Sequence, residues 1–245
     1  MKKLSMLSKL FVVIILLEFM SSHNTYSQLT RGVSPDNGLI IQHTRYRINY
    51  NCQQNIPYWC FEYITKESLK SGSKRNQRFE PDYLCKCTQS NNTEYSFNKT
   101  FDRGHLVPCD DFAYDRNLMN ETFLYTNCVP QQLDFNRGTW QSLENHVRQA
   151  LNLYDTIYVV TGVIVQNNYQ MNGVIIPDYM YKVILYCKNG KYLGTKCYVM
   201  PNLKSTTLSK NIENFKISLS DLQKKTNLIF YSGVSSQILN TETNY

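Results

Sequence analysis

The chain has 245 residues, of which 42% are hydrophobic, 13% aromatic and 18% charged. That composition fills a core and excludes a wholly disordered chain, and the length suits one large domain or two small ones. The formal charge is +7, to which Lys2, Lys3, Lys9 and Glu18 contribute a net +2; the +5 on the remainder fits an anionic partner without naming one.

Residues 1–27 read as a signal peptide. Lys2 and Lys3 make a positive start, residues 10–17 are an unbroken apolar run, and Thr25-Tyr26-Ser27 sets small residues at the −3 and −1 positions of a cleavage site. The run is too short for a spanning helix and Glu18 ends it, so release is expected, with no stable membrane association after cleavage. The expected location is extracellular, or the lumen of a secretory or digestive compartment.

All eight cysteines follow that cut, at Cys52, Cys60, Cys85, Cys87, Cys109, Cys128, Cys187 and Cys197. An even count in an exported chain reads as a disulfide framework. Zinc is the competing reading, but Cys85-Lys86-Cys87 lacks the paired C-x-x-C knuckles. Asn91, Asn98 and Asn120 each begin a glycosylation triplet.

Residues 28–245 show no internal repeat and no long linker, which predicts a single domain. Residues 39–48 and 59–64 read as strands around a Cys52 to Cys60 connection that a cross-link would close. Residues 66–79 form a basic loop, with Lys66, Lys70, Lys74, Arg75 and Arg78 against Glu67. The segment 137–153 is the best helix, because Trp140, Leu143, Val147, Ala150 and Leu151 make one apolar stripe with Glu144 and Arg148 along its edge. Asn136 stands before it as an N-cap. Strands follow at 157–165 and 179–186, then an Asn189-Gly190 turn and a partner strand around 196–200, with Cys187 and Cys197 placed to bridge the turn. Ser220-Asp221-Leu222-Gln223 has a capping-box pattern, and 228–231 reads as a last strand. The fold class is α+β: a mainly antiparallel sheet with flanking helices, stapled by disulfides.

Histidine chemistry has three candidates beyond the leader: His43, His105 and His146. His43 and His146 have no suggestive neighbours and read as surface or core residues. Asp102-Arg103-Gly104-His105 joins an acid, a permanent cation, a glycine and a base in four positions. Imidazole can take a proton from water near neutral pH while guanidinium grips phosphate oxygens, the pairing that attack on a phosphodiester needs. The leaving oxygen is commonly stabilised by a divalent metal, and Asn136 with Glu144 offers oxygen donors for Mg²⁺.

The motif Asp102 to His105, the segment 127–131, Asn136 with Gly138 and Trp140, then Glu144 and Arg148, resemble the DNA/RNA non-specific endonuclease family. Segments 71–76, 160–162, 176–177 with 182–184, and 226–229 extend the likeness over nearly all of 28–245. The resemblance implies a ββα-metal active site in which His105 activates water and Asn136 is the direct protein ligand of Mg²⁺, with Mn²⁺ as a substitute. It implies that Glu144 holds the metal's water shell, that Asn127 positions the site, and that Arg75, Arg103 and Arg148 contact phosphate. DNA and RNA are the implied substrates and 5′-phosphorylated oligonucleotides the products. A Cys109 to Cys128 disulfide would brace such a site. The alternative reading is an exported, inactive glycoprotein of the same fold that binds nucleic acid without cutting it, and the sequence leaves the oligomeric state open.

Overall fold

Strand-forming segments dominate the computed structural model, which describes residues 33–34, 37–75, 78–89, 100–204, 209 and 211–243. The leader at 1–27 and the acceptors Asn91 and Asn98 lie outside the described residues. In chain order the strands are β1 (Leu39–Gln42), β2 (Tyr46–Asn51), β3 (Ile56–Thr65), β4 (Phe101–His105), β5 (Cys128–Gln132), β6 (Thr156–Ile164), β7 (Gln170–Met171), β8 (Val174–Ile175), β9 (Tyr179–Lys188), β10 (Lys191–Pro201) and β11 (Lys216–Ile217). The helices are α1 (Arg116–Glu121), α2 (Gln141–Gln149), α3 (Leu219–Thr226) and α4 (Ser236–Leu239). The class is α+β, as expected.

Seven strands form one antiparallel sheet in the order β1-β2-β3-β6-β9-β10-β11. Successive side chains alternate between its faces. Cys60, Val159 and Ile184 face one core, while Phe61, Val160 and Val183 face a second. The second core is capped by Leu219 and Leu222 of α3, Leu239 of α4, and Phe230 and Tyr231. The β9–β10 turn uses Asn189 and Gly190, both at positive φ (49° and 71°), as the predicted two-residue hairpin requires.

Against the first face lies a smaller unit. β4 and β5 pair as an antiparallel ribbon, and β5 runs into a helical segment ending in α2. The stripe Trp140, Leu143, Val147, Ala150 and Leu151 is buried on the sheet as expected. Its start differs from the sequence expectation. A short helical turn, Leu133–Phe135, is capped by the Gln132 side chain, and a wide turn, Asn136–Trp140, follows before α2. Asn136 therefore sits inside the helical run instead of capping it. Gly138 leaves helical geometry there, and the widened turn frees the chain to aim Asn136 and Trp140 in different directions.

Other expectations are corrected. The disulfide among the described residues joins Cys52 to Cys87, and Cys60, Cys85, Cys109, Cys128, Cys187 and Cys197 are free. Cys60 pairs with Ile48 well up the hairpin, beyond reach of Cys52 at its turn. Cys187 lies opposite Tyr192 and Cys197 opposite Val183, so the turn separates them along the ladder. The Cys109 thiol faces Asp110 Oδ1 (3.6 Å) and the Cys128 thiol faces the Tyr125 carbonyl (3.5 Å), not each other. Residues 39–48 are two strands broken by a turn. Ser218, not Ser220, caps α3 by accepting the Asp221 N–H. Residues 228–231 make only an isolated bridge, Ile229 to Ser34, because Tyr231 turns the chain with a φ of 54°.

Gly104 on β4 is held to glycine by its partner strand. A Cβ there would lie 1.9 Å from Gln131 Oε1 and 2.5 Å from Gln131 Cβ, too close to resolve by moving the amide end alone. Gly104→Ala is expected to destabilise the fold by about 1–3 kcal/mol, read as a lower urea midpoint. An unchanged midpoint would show that the ribbon widens freely.

Candidate active site

The ribbon sorts the motif onto two sides. Asp102 and Gly104 point one way, Arg103 and His105 the other. The Arg103 guanidinium lies 5.2 Å from the Phe79 ring centroid, and the His105 ring is 4.8 Å from both Phe79 and Phe123. Arg75 stacks over Phe123 at 5.7 Å. Backbone bonds from Glu80 to Phe123 and from Tyr125 to Glu80 set the two aromatic walls side by side. Behind them Asp82 is anchored by the Thr126 hydroxyl (2.6 Å) and by His43 (3.0 Å), so His43 is a core residue.

His105 is 8% exposed, and its Nε2 is buried without a hydrogen-bond partner. Burial first, then the charges of Arg75 and Arg103, bring its pKa down to about 3. The ring is thus neutral and available as a base throughout the ordinary pH range. The unfolded chain would take up this proton near the ordinary value of 6.5, so the site costs stability as pH falls from there toward 3.

Asp102 is the hub opposite. Its Oδ2 accepts the Asn136 amide N–H (2.9 Å) and the Arg137 Nε–H (2.9 Å), and its Oδ1 accepts Arg137 Nη2 (2.8 Å). With the Asn136 nitrogen committed, its amide oxygen is the atom left for the cavity. His105, Arg103, Arg75, Asn136, Arg137 and Glu144 share that cavity, of about 450 Å³, with Phe79, Phe123 and Asp110. Burial raises the Glu144 carboxyl to about 7, against the pull of Lys182 and Arg148. Among the described residues no three His, Cys, Asp or Glu side chains form a metal cluster. One amide oxygen beside one half-buried carboxylate fits a hard divalent cation that keeps most of its water, and does not fit zinc.

Two residues expected at the site stand outside it. Asn127 is fully buried: Oδ1 accepts the Val107 N–H (3.0 Å), and Nδ2 donates to the Val107 and Thr122 carbonyls (3.0 and 2.9 Å). Its polar atoms clamp the chain just after His105, so it acts on the site through the backbone it holds and does not face the cavity. Arg148 pairs with Asp111 (2.6 Å), its side chain only 11% exposed, and does not line the cavity. Sequence reasoning missed Asp102 as a hub, Arg137, Phe79 and Phe123. Asp102 and Arg137 adjoin the motif residues and were within reach of it, whereas the phenylalanines meet His105 only through the fold.

A neutral imidazole among arginines thus faces oxygen donors on a two-strand-plus-helix unit, the ββα arrangement that the sequence resemblance implies. The family model described as DNA/RNA non-specific endonuclease matches residues 26–237. Mitochondrial nuclease EXOG of Mus musculus is 28% identical over 207 residues, 78% of this chain and 56% of EXOG. Nuclease C1 of Cunninghamella echinulata var. echinulata is 29% identical over 208 residues, 78% of this chain and 82% of that protein. In a crystal structure of the EndoG/EndoGI complex, a chain covered to 98% matches 90% of this one with a TM-score of 0.77 at 26% identity. The chain belongs to the DNA/RNA non-specific endonuclease family. It spans little more than half the length of EXOG.

The His105 environment is open to direct test. In metal-free protein at pH 5, long-range ¹H–¹⁵N spectra should show the neutral imidazole pattern at His105. Titration near 6.5 would show that the aromatic walls and arginines do not enclose it.

Proposed function

We propose that this protein is an exported, Mg²⁺-dependent endonuclease that hydrolyses DNA and RNA without reading base sequence. One observation carries the reading: His105, kept neutral between Arg75 and Arg103, shares a single cavity with Asn136 and Glu144. Membership of the family supports the hydrolase activity. Export rests on the leader pattern of residues 1–27, and the cysteines add nothing to it, because most are free and buried. Among the described residues no helix is long and apolar enough to cross a membrane.

Arg75, Arg103 and Arg137 would hold the phosphate, a contact that ignores base identity and makes binding salt-sensitive. With Nε2 shut into the aromatic wall, His105 would work through Nδ1. That nitrogen takes a proton from water as the water oxygen bonds to phosphorus. The P–O3′ bond breaks, and the 3′ oxygen takes a proton from cavity water ordered by Glu144, leaving a 5′-phosphate and a 3′-hydroxyl. Asn136 Oδ1 would hold Mg²⁺ with Glu144 facing its hydration shell, and the ion would supply charge stabilisation at the leaving oxygen. Arg148 serves from behind, neutralising Asp111 beneath the helix.

The deciding experiment is an agarose-gel assay of oxidised protein on plasmid DNA and on RNA, with Mg²⁺ or EDTA, beside His105→Ala. Mg²⁺-dependent degradation should fall by about 10²- to 10⁴-fold in the variant while DNA binding persists. Retardation without cleavage in the wild type would establish the inactive binding protein instead.

Asp102→Ala tests how the metal ligand is held. Releasing the Asn136 amide should weaken the apparent Mg²⁺ affinity by about 10- to 100-fold, read from cleavage against metal concentration. An unchanged titration would show that Asn136 keeps its aim without Asp102.

A further inference from the structure

Three sulfurs meet outside the cleft, and none of them lines its cavity. Cys52 is exposed in the turn between β2 and β3 and is bonded to Cys87, 35 residues further on. The free Cys85 thiol is half-buried, and its Sγ lies 3.5 Å from Cys87 Sγ, in contact with the disulfide. Bonds that involve no sulfur hold this geometry. The Cys85 N–H donates to the Asp82 carbonyl (3.1 Å) and the Leu84 N–H to Asp82 Oδ1 (3.0 Å). The Gln89 side chain closes the loop by accepting the Asp82 N–H and donating to the Asp82 carbonyl, each at 2.8 Å. Asp82 is itself anchored by Thr126 and His43, and Cys85 and Cys87 both pack on the first core.

We propose that Cys52, Cys85 and Cys87 form an internal thiol–disulfide exchange site, in which Cys85 displaces Cys52 from Cys87 and turns a long-range staple into a local ring. The inference goes beyond the nuclease reading and does not depend on it. The Cys85 thiol gives its proton to water, and a lone pair of the thiolate forms the new bond to Cys87 Sγ. The electron pair of the Cys52–Cys87 bond leaves on Cys52 Sγ, which takes up a proton from water. One thiol and one disulfide enter and one of each remains, so neither an oxidant nor a reductant is consumed. Cys87 Sγ is the sulfur attacked because it is the one in contact with Cys85. Cys52 is suited to leave because it is exposed: its thiolate departs into water and not into the core.

The exchange changes what the bond ties together. Cys52–Cys87 clamps the β2–β3 turn to the loop 82–89, whereas Cys85–Cys87 spans only Lys86 and leaves Cys52 as a free thiol on an exposed turn. The loop keeps its shape in both forms, because the bonds of Asp82 to Gln89, Leu84, Thr126 and His43 survive the exchange. Burial first, with the Asp82 carboxylate adding to it against an opposing backbone contact at Cys87, holds the Cys85 thiol above its ordinary value of 9.0. The attacking thiolate is therefore a minor species near neutral pH, and the staple stays closed between exchanges.

The test is disulfide mapping of the oxidised full chain, kept native at pH 8 overnight with N-ethylmaleimide and no added thiol. The sample is then quenched in acidic guanidinium with isotopically heavy N-ethylmaleimide and digested with trypsin without reduction. Cleavage after Lys86 sends Cys85 and Cys87 to separate peptides unless they are bonded, and fragment spectra distinguish Cys52 from Cys60, which shares its peptide. The wild type should contain molecules in which Cys85 is linked to Cys87 and Cys52 carries the light label, beside molecules that retain Cys52–Cys87. In Cys85→Ser the light label on Cys52 should fall by at least about tenfold, because the attacking thiolate is gone. Cys52–Cys87 as the sole linkage, with Cys52 unlabelled in the wild type, would overturn the proposal. Equal labelling of Cys52 in Cys85→Ser would overturn it too, since the bond would then open without Cys85, and so would a Cys52–Cys85 linkage, which requires attack on the other sulfur. Should Cys85→Ser fail to fold, the wild-type linkage map decides alone. The readout needs neither metal nor nucleic acid, so an inactive wild type would refute the nuclease reading and leave this test intact.

Discussion

The three bonds accepted by Asp102 tie the whole site together. Asp102 belongs to β4, the strand that carries Arg103 and His105, while Asn136 and Arg137 belong to the widened turn before α2. The bidentate pair with Arg137 fixes the direction of the carboxylate as well as its position, and the carboxylate in turn fixes which atom of the Asn136 amide faces inward. One acidic side chain thus sets the spacing between the base and the oxygen donors.

The sheet beneath shows the same economy in its two faces. The face under α3 and α4 is closed with aromatic and aliphatic side chains and makes an ordinary core. The face under α2 holds Glu62, Thr161 and Lys182 in equal burial. A well-packed apolar replacement is often as stable as a buried ionic group, or more so, so stability alone gives no reason to keep these residues there. The apolar stripe of the helix covers them, with the Trp140 ring lying over the Lys182 ammonium.

The legible parts of the fold were those with short-range causes. The helical stripe from Trp140 to Leu151, the Asn189-Gly190 turn and the central strands follow from periodicity and turn chemistry within a few residues. His105 and Asn136, singled out by type and spacing, line one cavity. What the sequence does not carry is the partner distant in the chain. Asn127 belongs to the same segment as the site residues, but its amide holds the backbone of Val107 and Thr122 and accepts from the Cys60 thiol. Arg148 looks like a phosphate ligand until Asp111 is placed beside it. The cysteines were misread for the same reason: their pairing depends on the register of β2 with β3 and β9 with β10, which no count or spacing contains. Five of the six free thiols are buried and inert, behaving as small apolar residues.

The chemistry of His105 appears at first to work against itself. A base whose pKa has been driven to about 3 is a poor acceptor of protons. Yet two of the causes are Arg75 and Arg103, the groups proposed to receive phosphate. An anionic phosphodiester seated against those guanidiniums cancels much of their field at the imidazole, and so removes the part of the depression that charge created. The burial that remains still favours the neutral ring at rest. In the proposed reaction the base is therefore weakest in the empty cleft and strengthens as substrate fills it. Sequence-independent binding and catalysis then draw on the same two arginines, and a single phosphate contact serves both.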